Sequence, residues 1–493
     1  MADATGGLTN PLVDDGPHRY HLVEDNGLVD ISVNSLVNKP TKRPRVAVDT
    51  LSHGGLRGVA AVWIMVFHAV MFSTVSFDLQ GSSIMPLFFV LSGFSMQLAY
   101  GKAAGAMPFE CGGNYARFVQ NRLARTYPTY FAASLYAIPL WVLKYYGDGT
   151  ASLVQSLVSS LLLISTAVLL LLQTPLDPPA WTICTLFVFW LYFPVSARKA
   201  AAMTDEALAR GIVHFFYVQF AFVALVFTPL FILLGYPAAF AISTMNPWTR
   251  YPVFLMGVYA GELCQRHPTT QPSQSTDPLP PGISPMPWPS TVLLFFPCRC
   301  GGGGSHTPPP KKNWIQVADN SSMTLLCVTL LVATADAIYA FCFSEGGNIG
   351  GGLWLQALAP FLQLAVVVAL TRDGARSMAS GVLRHPKLLW LGDISMAIYL
   401  VHHPTIFYFV WGAHGFLPVH PPATDDCKGE YGKNTTAFDK CQDETKDYLM
   451  GIKLPIEYLP AVVAASLVLA QLLYWFVEEP GRKALRSSTP AAK

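Results

Sequence analysis

The sequence predicts an all-α fold: a polytopic membrane bundle of about ten transmembrane helices. Three observations carry that prediction. Of 493 residues, 52% are hydrophobic and 13% charged, about half the charge of an ordinary soluble domain, and the mean hydropathy is +0.38. Apolar runs of bilayer-spanning length recur along the chain. Basic residues are dense in every second segment between those runs and sparse in the others. The balance of 32 basic and 30 acidic residues excludes a strongly basic nucleic-acid binder, so membrane lipids are the expected surroundings and nucleic acid is not an expected partner.

The runs fall at 58–77, 82–101, 127–146, 181–197, 212–235, 251–264, 321–343, 353–371, 388–411 and 454–477. With the N-terminus inside and the sides alternating, the inner segments hold Lys102, Arg117, Arg122 and Arg125, then Arg198, Lys199 and Arg210, then Arg372, Arg376, Arg384 and Lys387, then Arg482, Lys483 and Arg486. The short outer loops hold almost none, Arg250 excepted. Both termini are therefore expected in the cytoplasm. Residues 152–173 are apolar enough for an eleventh crossing, but a crossing there would place the Arg372–Lys387 cluster outside. They read instead as an interfacial or re-entrant helix.

The same pattern divides the chain. Residues 1–50 read as a disordered cytoplasmic tail without a cleavable signal peptide, 51–264 as the first part of the membrane domain, 265–320 as a cytoplasmic linker, 321–483 as the second part, and 484–493 as a cytoplasmic tail. Twelve prolines between Pro268 and Pro310, with the run Gly301–Gly304, give the linker a composition that cannot form a core. The outer loop 412–452 carries Cys427 and Cys441, a disulfide candidate, and the glycosylation candidate Asn434 in the sequon Asn434-Thr435-Thr436. Both modifications need an oxidising lumen or the cell exterior, which points to a secretory-pathway or plasma membrane. The remaining cysteines are read as reduced thiols. No internal repeat is apparent.

The chemistry concentrates near the first run. Ten residues separate Arg57 from His68, and eleven helical steps return both side chains to one face, about 16 Å apart along the axis. Arg57 then sits at the water boundary and His68 near mid-membrane, where an ionisable group usually lines a protein interior or a water-filled path. Arg122 and Arg125 are three apart, on one helical face at the same membrane edge. Two guanidinium forks suit phosphate, and they suit lipid headgroups as topology anchors equally well; beside Arg57 they make a seat for a phosphate-bearing donor. Ser92-Gly93, within the second run, reads as a helix-packing site. Ser395 and His402 are seven apart on one face; measured along a continuous helix from Lys387, His402 falls in the outer half. It is either an acceptor-orienting group or a packed histidine, while His403 projects elsewhere. Trp181 reads as an interfacial anchor or a sugar platform at the outer surface. Glu478 and Glu479 read as a solvated helix end, with a pairing to a mouth arginine as the alternative.

Six blocks in order, LRGVAAVWIMVFH (Leu56–His68), FFVLSGF (Phe88–Phe94), NRLARTYP (Asn121–Pro128), PPAWTICTLFVFWLYFP (Pro178–Pro194), LGDISMAIYLVHHP (Leu391–Pro404) and FVEEPGRK (Phe476–Lys483), resemble the membrane-bound acyltransferase-3 family. The resemblance covers about residues 50 to 483, with the linker as an insertion. It implies transfer of an acyl group, often acetyl, from cytoplasmic acyl-CoA to a hydroxyl of a carbohydrate, lipid or small-molecule acceptor. The family's Arg-x10-His pair falls on Arg57 and His68, the histidine being catalytic, and its Arg-x-x-Arg pair on Arg122 and Arg125, associated with the acyl-CoA donor. A neutral imidazole can act there as base or as nucleophile, and the residues do not separate the two. Acyl-CoA would be a co-substrate, with no tightly bound cofactor and no metal expected. One position departs: five residues after Trp181, where the family commonly has glutamate, this chain has Leu186. The competing reading is a secondary transporter or proton-coupled channel using His68 as a relay; a third is a non-enzymatic scaffold.

Overall fold

The computed structural model describes residues 23–24, 27–28, 48, 50–75, 79, 81–106, 112–144, 150–163, 177–227, 229, 233, 245–267, 349–373, 377–413 and 453–486. The expected run 321–343, most of the linker, and Cys427, Cys441 and Asn434 lie outside them. The chain separates into two units. The smaller, Met1–Ala47 with Thr489–Lys493, contains strands β1 (Val23–Glu24) and β2 (Gly27–Leu28), paired antiparallel with Val23 opposite Leu28.

In the larger unit, Val48–Ser488, the regular elements among the described residues are helices, with one isolated bridge between Ser73 and Leu454. Its helices are α1 (Leu51–Met71), α2 (Met85–Ala106), α3 (Gly112–Lys144), α4 (Thr150–Leu161), α5 (Trp181–Ala202), α6 (Asp205–Phe222), α7 (Pro247–Arg266), α8 (Ile349–Asp373), α9 (Met378–Leu383), α10 (Pro386–Asp393), α11 (Ser395–Ala413), α12 (Leu459–Leu473) and α13 (Glu479–Leu485). Side-chain caps set several starts: Thr204 accepts from the Ala207 N–H, Asn246 from Trp248, and Ser377 from Ser380.

Among the described residues, three helices are long and apolar enough to cross a membrane: Leu51–Met71, Pro178–Ala202 and Ile456–Leu485. The pair α10 and α11, bent by 67°, makes a fourth if counted as one span. The segment 152–173 is described only to Leu163, and α4 ends at Leu161 with a turn after it. Large apolar side chains face outward, among them Leu225 (74% exposed), Val468 (60%) and Phe476 (73%), as lipid-facing helices require.

Aromatic rings fill the core where α2, α5 and α7 meet: Phe89, Phe189, Phe193, Tyr251 and Phe254 form a chain of ring contacts. α2 and α7 approach backbone to backbone. A Cβ on Gly93 would lie 2.2 Å from the Phe254 carbonyl oxygen, and one on Gly257 would lie 2.2 Å from that of Val90, so neither position has room for a side chain. The packing role read for Ser92-Gly93 is thus located at Gly93; the Ser92 hydroxyl turns to Met96 Sδ in its own helix.

Candidate active site

The site begins with two glycines one turn apart. Gly54 and Gly58 of α1 press on Gly392 of α10: a Cβ on Gly58 would lie 2.6 Å from the Gly392 nitrogen, and one on Gly392 would lie 2.2 Å from the Gly54 oxygen. The contact brings Arg57 against the helix break that follows Asp393. Because α10 stops there, the Gly392 carbonyl is released from the regular helical ladder. It accepts from Arg57 Nη2 at 2.9 Å and from Ser395 Oγ at 2.7 Å. Ser395 therefore lies at the arginine end of the site.

The same break corrects the depth of His402. The rise from Lys387 does not run along one axis; counted from Ser395, His402 stands only about 10 Å up α11. That puts it beside His68 rather than beyond it. His402 Nε2 is 3.1 Å from His68 Nδ1, and the ring centroids are 5.0 Å apart. His402 is completely buried and His68 half-buried.

Hydrogen bonding fixes the tautomers of two neutral rings. His402 Nδ1 lies 3.1 Å from the Ile398 carbonyl and must carry the proton to bond it. Its Nε2 is then a lone pair, which accepts from His68 Nδ1–H. That N–H is shared with the Ile64 carbonyl at 3.0 Å. His68 Nε2 is left unprotonated, the state a base or nucleophile needs. Phe67 and Phe72 pack on the His68 ring, with centroids at 4.8 and 6.5 Å. His403 does not project elsewhere as expected: its ring lies 6.1 Å from that of His68 and 5.6 Å from that of Phe72. α1 is seated in the groove between the two histidine directions, so both reach it.

The arginines gather at the other end of the same face. Arg125 interacts electrostatically with Arg57, Arg122, Arg482 and Glu478, and Arg57 interacts with Asp393 and Glu478. Arg122 Nη2 donates to the Tyr100 hydroxyl at 2.5 Å, and its guanidinium carbon lies 4.6 Å from the Tyr100 ring centroid. Arg125 is exposed. Four cations against two carboxylates leave an excess of positive charge, which suits an anion. Glu478 is not a solvated helix end. It is 5% exposed, accepts from Thr129 Oγ1 at 3.4 Å and faces the arginines. A π-helical turn at Tyr474–Glu478 shifts the register that would otherwise aim it outward. Glu479 pairs locally with Lys483 at 2.7 Å.

Trp181 is neither a surface anchor nor an open platform. It is 6% exposed and packs on Phe89 with ring centroids 6.0 Å apart, because the turn Pro178–Ala180 starts α5 inside the protein. Leu186 packs against the core. Cys184 and Cys264 are buried thiols. Among the described residues no group of three or more His, Cys, Asp or Glu is placed to hold a metal ion. Sequence reasoning passed over Arg482, counted only as an inner charge; Tyr399, whose ring lies 5.8 Å from that of His402; and Asp177, which follows no recognisable spacing.

A bundle with a histidine pair inside and arginines at one mouth defines a membrane protein with a buried polar site. An acyltransferase domain of the acyltransferase-3 type matches residues 54–475, and the chain belongs to that family. It is a membrane acyltransferase. Comparison with curated proteins and with solved structures returns no match.

Proposed function

We propose that the protein transfers an acyl group, by default acetyl, from cytoplasmic acyl-CoA to a hydroxyl of a carbohydrate, lipid or small-molecule acceptor. Arg57, Arg122, Arg125 and Arg482 hold the donor's phosphates, and the thioester reaches inward to His68. The orientation follows the charge asymmetry, with both termini and the arginine mouth in the cytoplasm of a secretory-pathway or plasma membrane. In this reading residues 51–264 and 321–483 form one catalytic domain interrupted by the linker.

The contacts of His68 Nδ1 with the Ile64 carbonyl and His402 Nε2, which leave the lone pair on Nε2 of a ring on the same helical face as Arg57, carry the reading. The acceptor oxygen adds to the thioester carbonyl carbon while Nε2 takes the hydroxyl proton. The tetrahedral adduct then collapses: the C–S bond breaks, the imidazolium returns its proton to the departing thiolate, and the ester and free CoA remain. His402 Nε2 holds the His68 Nδ1–H through this cycle, stabilising the imidazolium that forms. General base action is preferred over a covalent acyl-imidazole because it needs one acyl transfer rather than two.

Labelled acetyl-CoA and acetyl-pantetheine, supplied to membranes containing the protein, test the donor assignment. Label should pass from acetyl-CoA to a hydroxyl-bearing product, and acetyl-pantetheine, lacking the nucleotide phosphates, should be a poor donor. Equal use of both donors, or no transfer from either, overturns the assignment.

A further inference from the structure

Asp177, the residue before the turn Pro178–Ala180, has no exposed surface, and among the described residues neither carboxylate oxygen has a hydrogen-bond partner. It precedes a helical start, yet its side chain caps none of the N–H groups there. Buried polar groups are nearly always satisfied, and a carboxylate left without donors destabilises the fold that holds it. Its surroundings are hydroxyls already committed elsewhere. Tyr130 and Tyr399 both interact electrostatically with Asp177. The Tyr130 hydroxyl donates to the Ser160 carbonyl at 2.7 Å, and the Thr182 hydroxyl, a neighbour of Tyr399, donates to the Pro179 carbonyl at 3.0 Å.

One neighbour of the carboxylate, Tyr399, also borders the histidine pair. Tyr399 shares a face of α11 with His402, and His402 bonds His68. Tyr130 stands about 8 Å beyond Arg125 along α3, and Tyr399 about 6 Å beyond Ser395 along α11. Tyr399 thus links the surroundings of Asp177 to the histidine pair.

We propose that Asp177 is a substrate-binding residue whose carboxylate accepts hydrogen bonds from hydroxyl or amide N–H groups of a molecule held next to His68. The inference rests on the acyl-transfer reading and adds to it a site for neutral hydrogen-bond donors, distinct from the arginines that take phosphate. Two sources carry that chemistry: the acceptor, through its hydroxyls, and the donor, through the amides and hydroxyl of its pantetheine arm.

The full-length protein in membranes decides the matter, with Asp177→Asn as the shape-preserving variant and Asp177→Leu as the apolar one. Acetyl-CoA and a titrated membrane extract supply donor and acceptor; adenosine 3′,5′-bisphosphate, which lacks the pantetheine arm, probes the phosphate seat. Both variants should raise one KM by about tenfold or more while inhibition by the bisphosphate stays within twofold. A rise confined to the extract assigns the carboxylate to the acceptor, and a rise confined to acetyl-CoA assigns it to the pantetheine arm. Asp177→Leu should also raise the melting temperature of the substrate-free protein, because a buried carboxylate without partners is removed. Both KM values within twofold of wild type, or a lower melting temperature in both variants, overturns the inference while leaving acyl transfer standing. A wild-type protein that transfers no label overturns both.

Discussion

Replacing His402 by phenylalanine keeps an aromatic ring in the buried site and removes the acceptor that holds His68 Nδ1–H. The 3.1 Å contact between the rings is lost, while His68 keeps its bond to the Ile64 carbonyl. In the resting enzyme that bond joins two neutral groups and contributes about 1 kcal/mol. As His68 takes the acceptor's proton, the same bond comes to a cation, where such bonds contribute about 1.5–3 kcal/mol. Only the difference between the two states, about 0.5–2 kcal/mol, slows the reaction, so at about 1.4 kcal/mol per factor of ten the rate of transfer should fall by roughly 2- to 30-fold. The loss falls on the transition state, so kcat should drop while the KM for acetyl-CoA stays within about twofold. Steady-state transfer of labelled acetyl in membranes, normalised to the amount of inserted protein, reads both quantities. A His402→Phe enzyme with unchanged kcat, or one whose defect lies wholly in donor KM, refutes the role given to the histidine pair.

Other outcomes follow from the same geometry. Arg125→Ala and Arg482→Ala should each raise the KM for acetyl-CoA, with the effect shrinking as salt is increased from low to high, because Arg125 is exposed and the attraction is screened; titration of donor at two ionic strengths checks it. Gly392→Ala should cost about 1–3 kcal/mol and lower the melting temperature, since the added methyl meets the Gly54 oxygen of α1 with no flexible group to yield. At the α6–α7 junction, a hydrogen bond from His267 at 2.6 Å, then the Arg266 guanidinium at 2.9 Å, hold the Asp205 carboxyl below its ordinary range. The lowered value means that the ionised carboxylate stabilises the fold above about pH 4 and that this contribution is lost as pH falls through the folded-state value. The melting-temperature gap between wild type and Asp205→Asn should therefore close on acidification below about pH 4, and a gap that widens there contradicts the assignment.

Much of the fold was legible in the chain, because bilayer-length apolar runs write helices directly into composition. The Arg57 and His68 pair was legible for the same reason: one uninterrupted helix fixes their face and spacing. His402 was found but misplaced, since its depth was counted along a helix that breaks after Asp393. Glu478 was misread because a π-helical turn, invisible to a 3.6-residue period, turns it inward. Trp181 was assigned to the surface on the assumption that α5 starts at a membrane face, whereas the preceding turn begins it inside the bundle. Asp177 carries no signal of spacing or motif. Only its burial, the absence of a hydrogen-bonding partner among the described residues and its two tyrosine neighbours single it out.

The central claim, that His68 takes the proton released in acyl transfer, is tested most directly by one comparison. Membranes carrying equal amounts of inserted wild-type and His68→Ala protein are given labelled acetyl-CoA, and label in hydroxyl-bearing products is counted. The account predicts a loss of at least about a hundredfold with His68→Ala. Transfer at the wild-type rate contradicts it.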